Sequence, residues 1–440
     1  MLPIKKRPFL VLFLSLFFII SAGCGPIKPE LQAEPGDPTA QNGIQPETPE
    51  AAGTAQVPAT GTPPQPSVGF DPTAEVNNVM IRSRAEKISQ IVGDYDRQRQ
   101  APTGNLTNQR YQVERTDLGI PFQHRDRTYL LFGDAWNPPD DPIAYTTDTN
   151  PEDGLDLVFL QNDTGRYHPI QIPGVSLGAF EVPTEGISVN GRMFIYVTTD
   201  HTEEVVMGRS AVAVSDDDGY TFNYLYDLSR EHFINVSLVE IDLAGREGFP
   251  AADGGGLVIF GSGRYRESDL RLAFQPAEGI ENPDQILYFT GLDENNRPAW
   301  SSREEDAYPL FDQPCIGEFS VSHNPHIEKW ILLYNCGFEN ARGINLRTAN
   351  SPWGPWSDPL ILFHPWEDRG YCHFMHVSWE YETCDDVHDG GRQNEWGGEY
   401  GPYQFEELAV GGPSQTTIYF TMSTWNPYTV VLMKATLEKR

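Results

Sequence analysis

The sequence predicts an all-β fold, a five-bladed β-propeller, and three observations carry that prediction. Strand-like runs separated by turns rich in Gly, Pro and Asn fill the chain from about residue 105 onward, with few convincing helices. One pattern recurs about five times at intervals of roughly 50 to 65 residues: a carboxylate or amide, an apolar run, a turn, then an aromatic-rich run. A turn motif, "SDDDGYTF" at 215–222, places hydroxyl, carboxylate and glycine where a tight blade turn needs them. Four-stranded units repeated at such a spacing are what a propeller requires, a β-sandwich being the rival arrangement.

The elements before the repeats read as export and tethering. Lys5, Lys6 and Arg7 precede the apolar run "FLVLFLSLFFII", which is shorter than the roughly 20 residues of a spanning helix, so residues 1–23 read as a signal peptide. "SAGC" then resembles the bacterial lipobox, with Ser21 where Leu is usual. Cleavage before Cys24 and lipidation of its thiol are expected. Residues 24–75 are rich in Pro, Thr, Gly, Ala and Glu and poor in large apolar side chains, the composition of a disordered tether. A lead-in follows over 76–104, in which "VNNVMIRSRAEKISQIVGD" (76–94) reads as a short helix, and the propeller occupies 105–440. The expected product is a monomer held by its lipid on the outer face of a bacterial membrane.

The 440 residues carry a formal net charge of −31, which would repel the phosphates of a nucleic acid but selects no substrate. Of the five cysteines, four remain once Cys24 is lipidated, an even number that suits two disulfides in an exported domain. Proximity pairs Cys315 with Cys336 and Cys372 with Cys384, out of three connectivities. No spacing among them resembles a zinc site, and no metal ligand set is expected.

The repeats bring carboxylates to one place. In the first, "LGIPF" and "TYLLF" flank "QHRDR"; a hairpin centred on Arg125 and Asp126 sets Asp117 opposite Asp134, an unfavourable pairing unless function demands it. The second, "TEGISVNGRMFIYVTT" (184–199), has Glu185 before a strand and an Asn-Gly hairpin turn. The third (233–263) has Asn235 at that position, the fourth (317–335) has Glu318, and the fifth spans roughly 374–437. If each run is the innermost strand of a blade, Asp117, Glu185 and Glu318 converge at one mouth with Asp134 beside them. Crowded carboxylates in an aromatic-lined funnel, some protonated and some ionised, are the apparatus of glycoside hydrolysis. Singly, each acid reads as solvated or cation-bound, and Ca²⁺ is the ion such a ring would take; the recurrence is what favours chemistry, which requires no cofactor. Arg264 and Arg266 of "GSGRYRESDLRLA" could bind substrate hydroxyls or pair with surface acids. His376 of "YCHFMHVSW" could hydrogen-bond a sugar or sit satisfied in the core, and Trp136, Trp396 and Trp425 could stack on sugar faces or pack between blades. The chain has no Gly-x-Ser-x-Gly elbow, P-loop or dinucleotide fingerprint.

The turn motif matches the Asp-box of sialidase-like propellers, a peripheral feature there. Taken in order, "TDLGIPF…YLLFGDAW", "GSGRYRESDLRLA", "GEFSVSHNPHIEKWILLYN", "SPWGPWSDP" and "MSTWNPYTVVLM" resemble the domain-of-unknown-function 4185 family, grouped as glycoside hydrolase family 183, over roughly 105–437. The resemblance implies a five-bladed propeller and hydrolysis of D-arabinofuranosyl linkages, as in mycobacterial arabinan. It implies Asp117 and Asp134 as active-site carboxylates, with Glu318 third. The roles expected are Asp117 as base or nucleophile and Glu318 as acid, with Asp134 and Glu185 orienting groups or tuning their titration. The competing reading is a non-catalytic glycan-binding propeller. Sialidase-type chemistry would need Arg264, Arg266 and Arg347 to converge on a substrate carboxylate, with a Tyr nucleophile.

Overall fold

The computed structural model describes residues 76–136, 138–202, 206–336, 342–378 and 387–440, all within one compact unit, Val68–Arg440. The expected signal peptide, Cys24, the tether and Cys384 lie outside the described residues.

The chain folds as a five-bladed β-propeller. Blade I runs outward from Asp117–His124 through Arg127–Gly133 and Ile143–Thr146 to Val158–Phe159. Blade II begins at Pro183–Val189 and ends at Asn223–Ser229; blade III begins at Asn235–Asp242 and carries a fifth strand, Pro298–Ser301. Blade IV runs from Ile316–Asn324 to Leu360–Phe363, and the inner strand of blade V is Glu399–Gly412. The five inner strands pack side by side in a closed ring, blade V returning against blade I.

Alternation within each middle strand builds the core, because successive side chains point to opposite faces of a sheet. In blade I, Leu130 and Phe132 pack toward blade V while Tyr129 and Leu131 pack toward blade II. In blade IV, Ile331 and Leu333 meet blade V while Trp330, Leu332 and Tyr334 meet blade III. Both faces being covered, Lys329–Cys336 is buried at every residue.

The helix expected over 76–94 is instead a strand. Val79–Gln90 pairs antiparallel with Thr429–Lys439 and forms the outer edge of blade V, so one blade joins the two ends of the propeller. Three register shifts along this pairing leave Val79, Ala85 and Ile88 buried at irregular spacing, which is why no alternation is visible in the sequence. The predicted Cys315–Cys336 disulfide is present across the first hairpin of blade IV. Cys372 is also disulfide-bonded. The Asp-box forms the outer turn of blade II: Asp217 accepts from the Thr221 amide at 2.8 Å and the Thr221 hydroxyl at 2.7 Å, the Gly219 amide donates to Ser215, and Phe222 is buried between blades I and II.

Candidate active site

One mouth of the ring opens into a cavity of about 560 Å³ whose wall includes Asp117, Asp134, Glu318 and Glu399. Three of these come from the starts of inner strands, in blades I, IV and V, and Asp134 directly follows the second strand of blade I.

The first hairpin departs from simple register. His124 pairs with Arg127, as a turn at Arg125 and Asp126 requires, but a bulge between Leu118 and Ile120 shifts the ladder so that Asp117 faces Gly133, one residue short of the expected Asp134. Leu118 (φ 66°) and Gly119 (φ 79°) both take left-handed backbone there. Asp134 then leaves the strand in a left-handed conformation of its own, φ 43°. Its amide donates to Asp141 Oδ1 at 2.9 Å, and both its carboxylate oxygens lie 3.0 Å from the Phe180 amide. The two acids are therefore neighbours without being directly opposed. Gly133 makes room for this: a Cβ there would lie 2.8 Å from Asp117 Oδ1.

Asp117 is 8% exposed, and its Oδ2 accepts the Tyr400 hydroxyl at 2.8 Å. Burial first, then the Asp134 charge, push its carboxyl well above the ordinary range, with Glu318 adding to the effect. Asp134 is raised by burial, against the Phe180 amide, to about 6. Asp141, buried behind it, is held well above the usual range by burial and by Asp134. Glu318 is raised by burial to about 7. Its oxygens are also gripped by Arg266 at 3.0 Å and Asn335 at 2.8 Å, and the guanidinium favours the ionised form.

Of the other residues singled out in the sequence, Trp136, Trp396, Trp425 and Arg266 line the cavity. Trp136 and Trp425 are 45% and 38% exposed, and both pack against Tyr428, at 5.9 and 5.6 Å between ring centroids. Three expectations are corrected. Glu185 accepts the Leu238 amide of blade III at 3.0 Å and its own neighbour's amide at 2.9 Å, and so staples two blades away from the cavity wall. His376 is completely buried, with Nε2 against the Gln393 carbonyl at 2.9 Å. Arg264 lies outside the cavity wall and pairs with Glu267 at 3.1 Å. Arg347 is likewise turned inward, donating to the Ser357 carbonyl and Gln313, so the three arginines do not form one cluster in the cavity wall.

Sequence reasoning missed Glu399, Tyr400, Tyr428, Phe180 and Asp141. The repeat itself signalled the first: "GGEYGPYQF" is the carboxylate-before-strand pattern of blade V, whereas "TTIYFTMSTWNPYTVVLMKA" supplies that blade's next two strands. Among the described residues, no group of three or more His, Cys, Asp or Glu side chains is arranged to hold a metal ion.

The family described as "Domain of unknown function (DUF4185)" matches residues 103–434, and the chain belongs to that family. No curated protein matches the sequence. Among solved structures the chain is similar to an exo-β-1,3-galactanase from Phanerochaete chrysosporium in complex with β-1,3-galactotriose, at 10% identity and a TM-score of 0.41, covering 80% of this chain. The match spans 64% of the galactanase's own length. A Bacillus subtilis arabinanase is similar at 10% identity and TM-score 0.36, over 72% of this chain and 94% of that one. The catalytic domain of a Coprinopsis cinerea GH62 α-L-arabinofuranosidase is similar at 11% identity and TM-score 0.41, over 81% and 97%.

Proposed function

We propose that this member of the DUF4185 family is an exported glycoside hydrolase acting on furanosidic glycans of the D-arabinan type, with Asp117 as general acid and Asp134 as its partner carboxylate. The observation that carries the reading is the pair itself: two adjacent carboxyls on one cavity wall whose surroundings drive their titration apart. The D-arabinan substrate is carried by the ordered family motifs rather than by the cavity.

In this reading Asp117, whose proton is held well above the ordinary carboxyl range by burial and by the Asp134 charge, gives that proton to the glycosidic oxygen as the bond from that oxygen to the anomeric carbon breaks. Positive charge develops on the sugar ring, and Asp134, ionised above about pH 6, either takes a proton from the attacking water or attacks the anomeric carbon itself. The Tyr400 hydroxyl holds the Asp117 carboxyl in place. Glu318, with its oxygens occupied by Arg266 and Asn335, stabilises charge and positions substrate. These roles differ from those expected from the sequence, where Glu318 is the acid and Asp117 the base or nucleophile. Trp136 and Trp425 offer exposed aromatic faces for sugar rings.

The experiment is reducing-end release from D-arabinan by wild type, Asp117→Asn, Asp134→Asn and Glu318→Gln. Loss of about 10³-fold or more in kcat for both aspartate variants, with a smaller loss for Glu318→Gln, supports the assignment. Binding without release from any furanoside would mean a non-catalytic glycan-binding propeller.

The same proposal includes surface anchoring: removal of residues 1–23, a lipid on Cys24, and a tether over 24–75 that carries the propeller away from the membrane. Its support is the basic and apolar run followed by "SAGC". Cys24→Ala should move the protein from the detergent phase to the aqueous phase on phase partitioning; unchanged partitioning would remove the anchor.

A further inference from the structure

Glu399 begins the inner strand of blade V, the repeat position that Asp117 occupies in blade I. Its side chain is 5% exposed, yet it lines the cavity, and its Oε2 has no hydrogen-bond partner. Opposite stands Arg342, whose Nε is also buried without a partner and lies 4.0 Å from Glu399 Oε1. That separation is too long for a hydrogen bond.

Arg342 is not free to close the gap. Its guanidinium lies 3.7 Å from the Trp396 ring centroid, and its Nη2 donates to the Tyr371 hydroxyl at 2.7 Å. Tyr371 in turn stacks on Trp396, with centroids 6.1 Å apart. The arginine is thus pinned by two aromatic rings while one N–H is left facing a carboxylate. A buried acceptor and a buried donor with no protein partner each carry the full cost of lost hydration unless a ligand supplies both partners.

We propose that Glu399 and Arg342 form a hydroxyl-recognition slot in which one sugar hydroxyl donates to Glu399 Oε2 and accepts from Arg342 Nε. A hydroxyl group is suited to this because it offers one donor and two acceptor lone pairs in the space of a single oxygen. An anionic substituent would be repelled by Glu399, and an ammonium group could not accept from Arg342. The slot selects neutral sugars bearing a free hydroxyl at one position, and Trp396, which lines the same cavity, holds the arginine beside it. This inference rests on the carbohydrate reading of the cavity, but not on the identity of the glycan nor on the roles of Asp117 and Asp134.

The test is equilibrium binding to the whole chain, followed by tryptophan fluorescence. The ligands are oligosaccharides of D-arabinofuranose, L-arabinofuranose, D-galactose and D-glucose, with monodeoxy derivatives of whichever binds. Wild type should lose about tenfold or more in affinity when one particular hydroxyl is removed, while Glu399→Gln should bind that deoxy ligand and its parent nearly alike. Arg342→Lys, which keeps the charge but not the fixed Nε–H, should blunt the same discrimination. If D-arabinofuranosides bind and Glu399→Gln leaves every deoxy penalty in place, the slot is wrong and the proposed substrate stands. Should a different sugar bind with a hydroxyl penalty that vanishes in Glu399→Gln, the slot stands and the D-arabinan reading falls. Binding of none of the four classes overturns both. A uniform loss across all ligands in Glu399→Gln would reduce Glu399 to a structural part of the wall.

Discussion

At the scale of the residue, two neighbouring aspartates of one wall titrate differently because their surroundings differ. Asp117 is walled in by Leu118, Tyr400 and the bulged strand, so its ionised form suffers both from burial and from the Asp134 charge. Asp134 sits at the edge of the same wall, and one backbone amide facing both its oxygens keeps it near 6. Activity should therefore rise as pH climbs through about 6, when Asp134 loses its proton, and fall at higher pH when Asp117 loses its own. The check is kcat/KM against pH: the rising limb should vanish in Asp134→Asn, and a wild-type profile flat from pH 5 to 8 would contradict the pairing. The carboxylates of blades I and IV were legible in the sequence because they recur at one position of the repeat. Glu185 shares that position but not the site, because its oxygens are consumed by amides of blades II and III. His376 could not be told from a ligand by sequence, since only packing shows that it lies wholly inside.

At the scale of the element, the bulged hairpin of blade I sets the geometry. Without the bulge Asp117 would face Asp134; with it, Asp117 faces Gly133, whose lack of a side chain leaves space for the carboxylate. A Cβ on residue 133 would meet Asp117 Oδ1 and Val182 at 2.8 Å and Leu118 at 2.9 Å. Gly133→Ala should lower kcat at least tenfold and cost about 1–3 kcal/mol of stability, measured by initial rates and denaturant unfolding. Near-wild-type rates would mean that the wall relaxes freely. In blade IV the Cys315–Cys336 bridge ties the strand carrying Glu318 to the strand carrying Asn335. Replacing both cysteines with alanine should cost about 3 kcal/mol, read as a lower Tm, because the bridge closes a loop of 21 residues. The bulge was hidden from sequence reasoning, which assumed an unbroken ladder, and irregular register likewise disguised Val79–Gln90 as a helix.

At the scale of the whole molecule, the ring is closed by Val79–Gln90 on Thr429–Lys439 and filled by interfaces built from alternate residues of each blade. That plan was legible because repeated strand–turn units and the Asp-box report it directly, whereas the closing strand lies far in sequence from its partner. The interior of the ring stores electrostatic cost. Asp134 at about 6 and Glu185 and Glu318 at about 7, all raised chiefly by burial, hold their protons more tightly folded than unfolded. Their contribution favours the folded state below the unfolded value near 4 and is lost as pH rises through 6 to 7. His201, His232 and His323, lowered chiefly by burial, act oppositely as pH falls below about 6.5, but their shifts are smaller than those of the carboxyls. The Tm should accordingly be higher at pH 5 than at pH 8, and a higher Tm at pH 8 would mean that these carboxyls hold their protons no more tightly folded than unfolded. Hydrolysis by the Asp117–Asp134 pair can be followed by proton NMR of purified residues 76–440 incubated with D-arabinan. New anomeric signals of released oligosaccharides should appear with wild type and be absent with Asp117→Asn of unchanged Tm. Equal release by that variant would contradict the account.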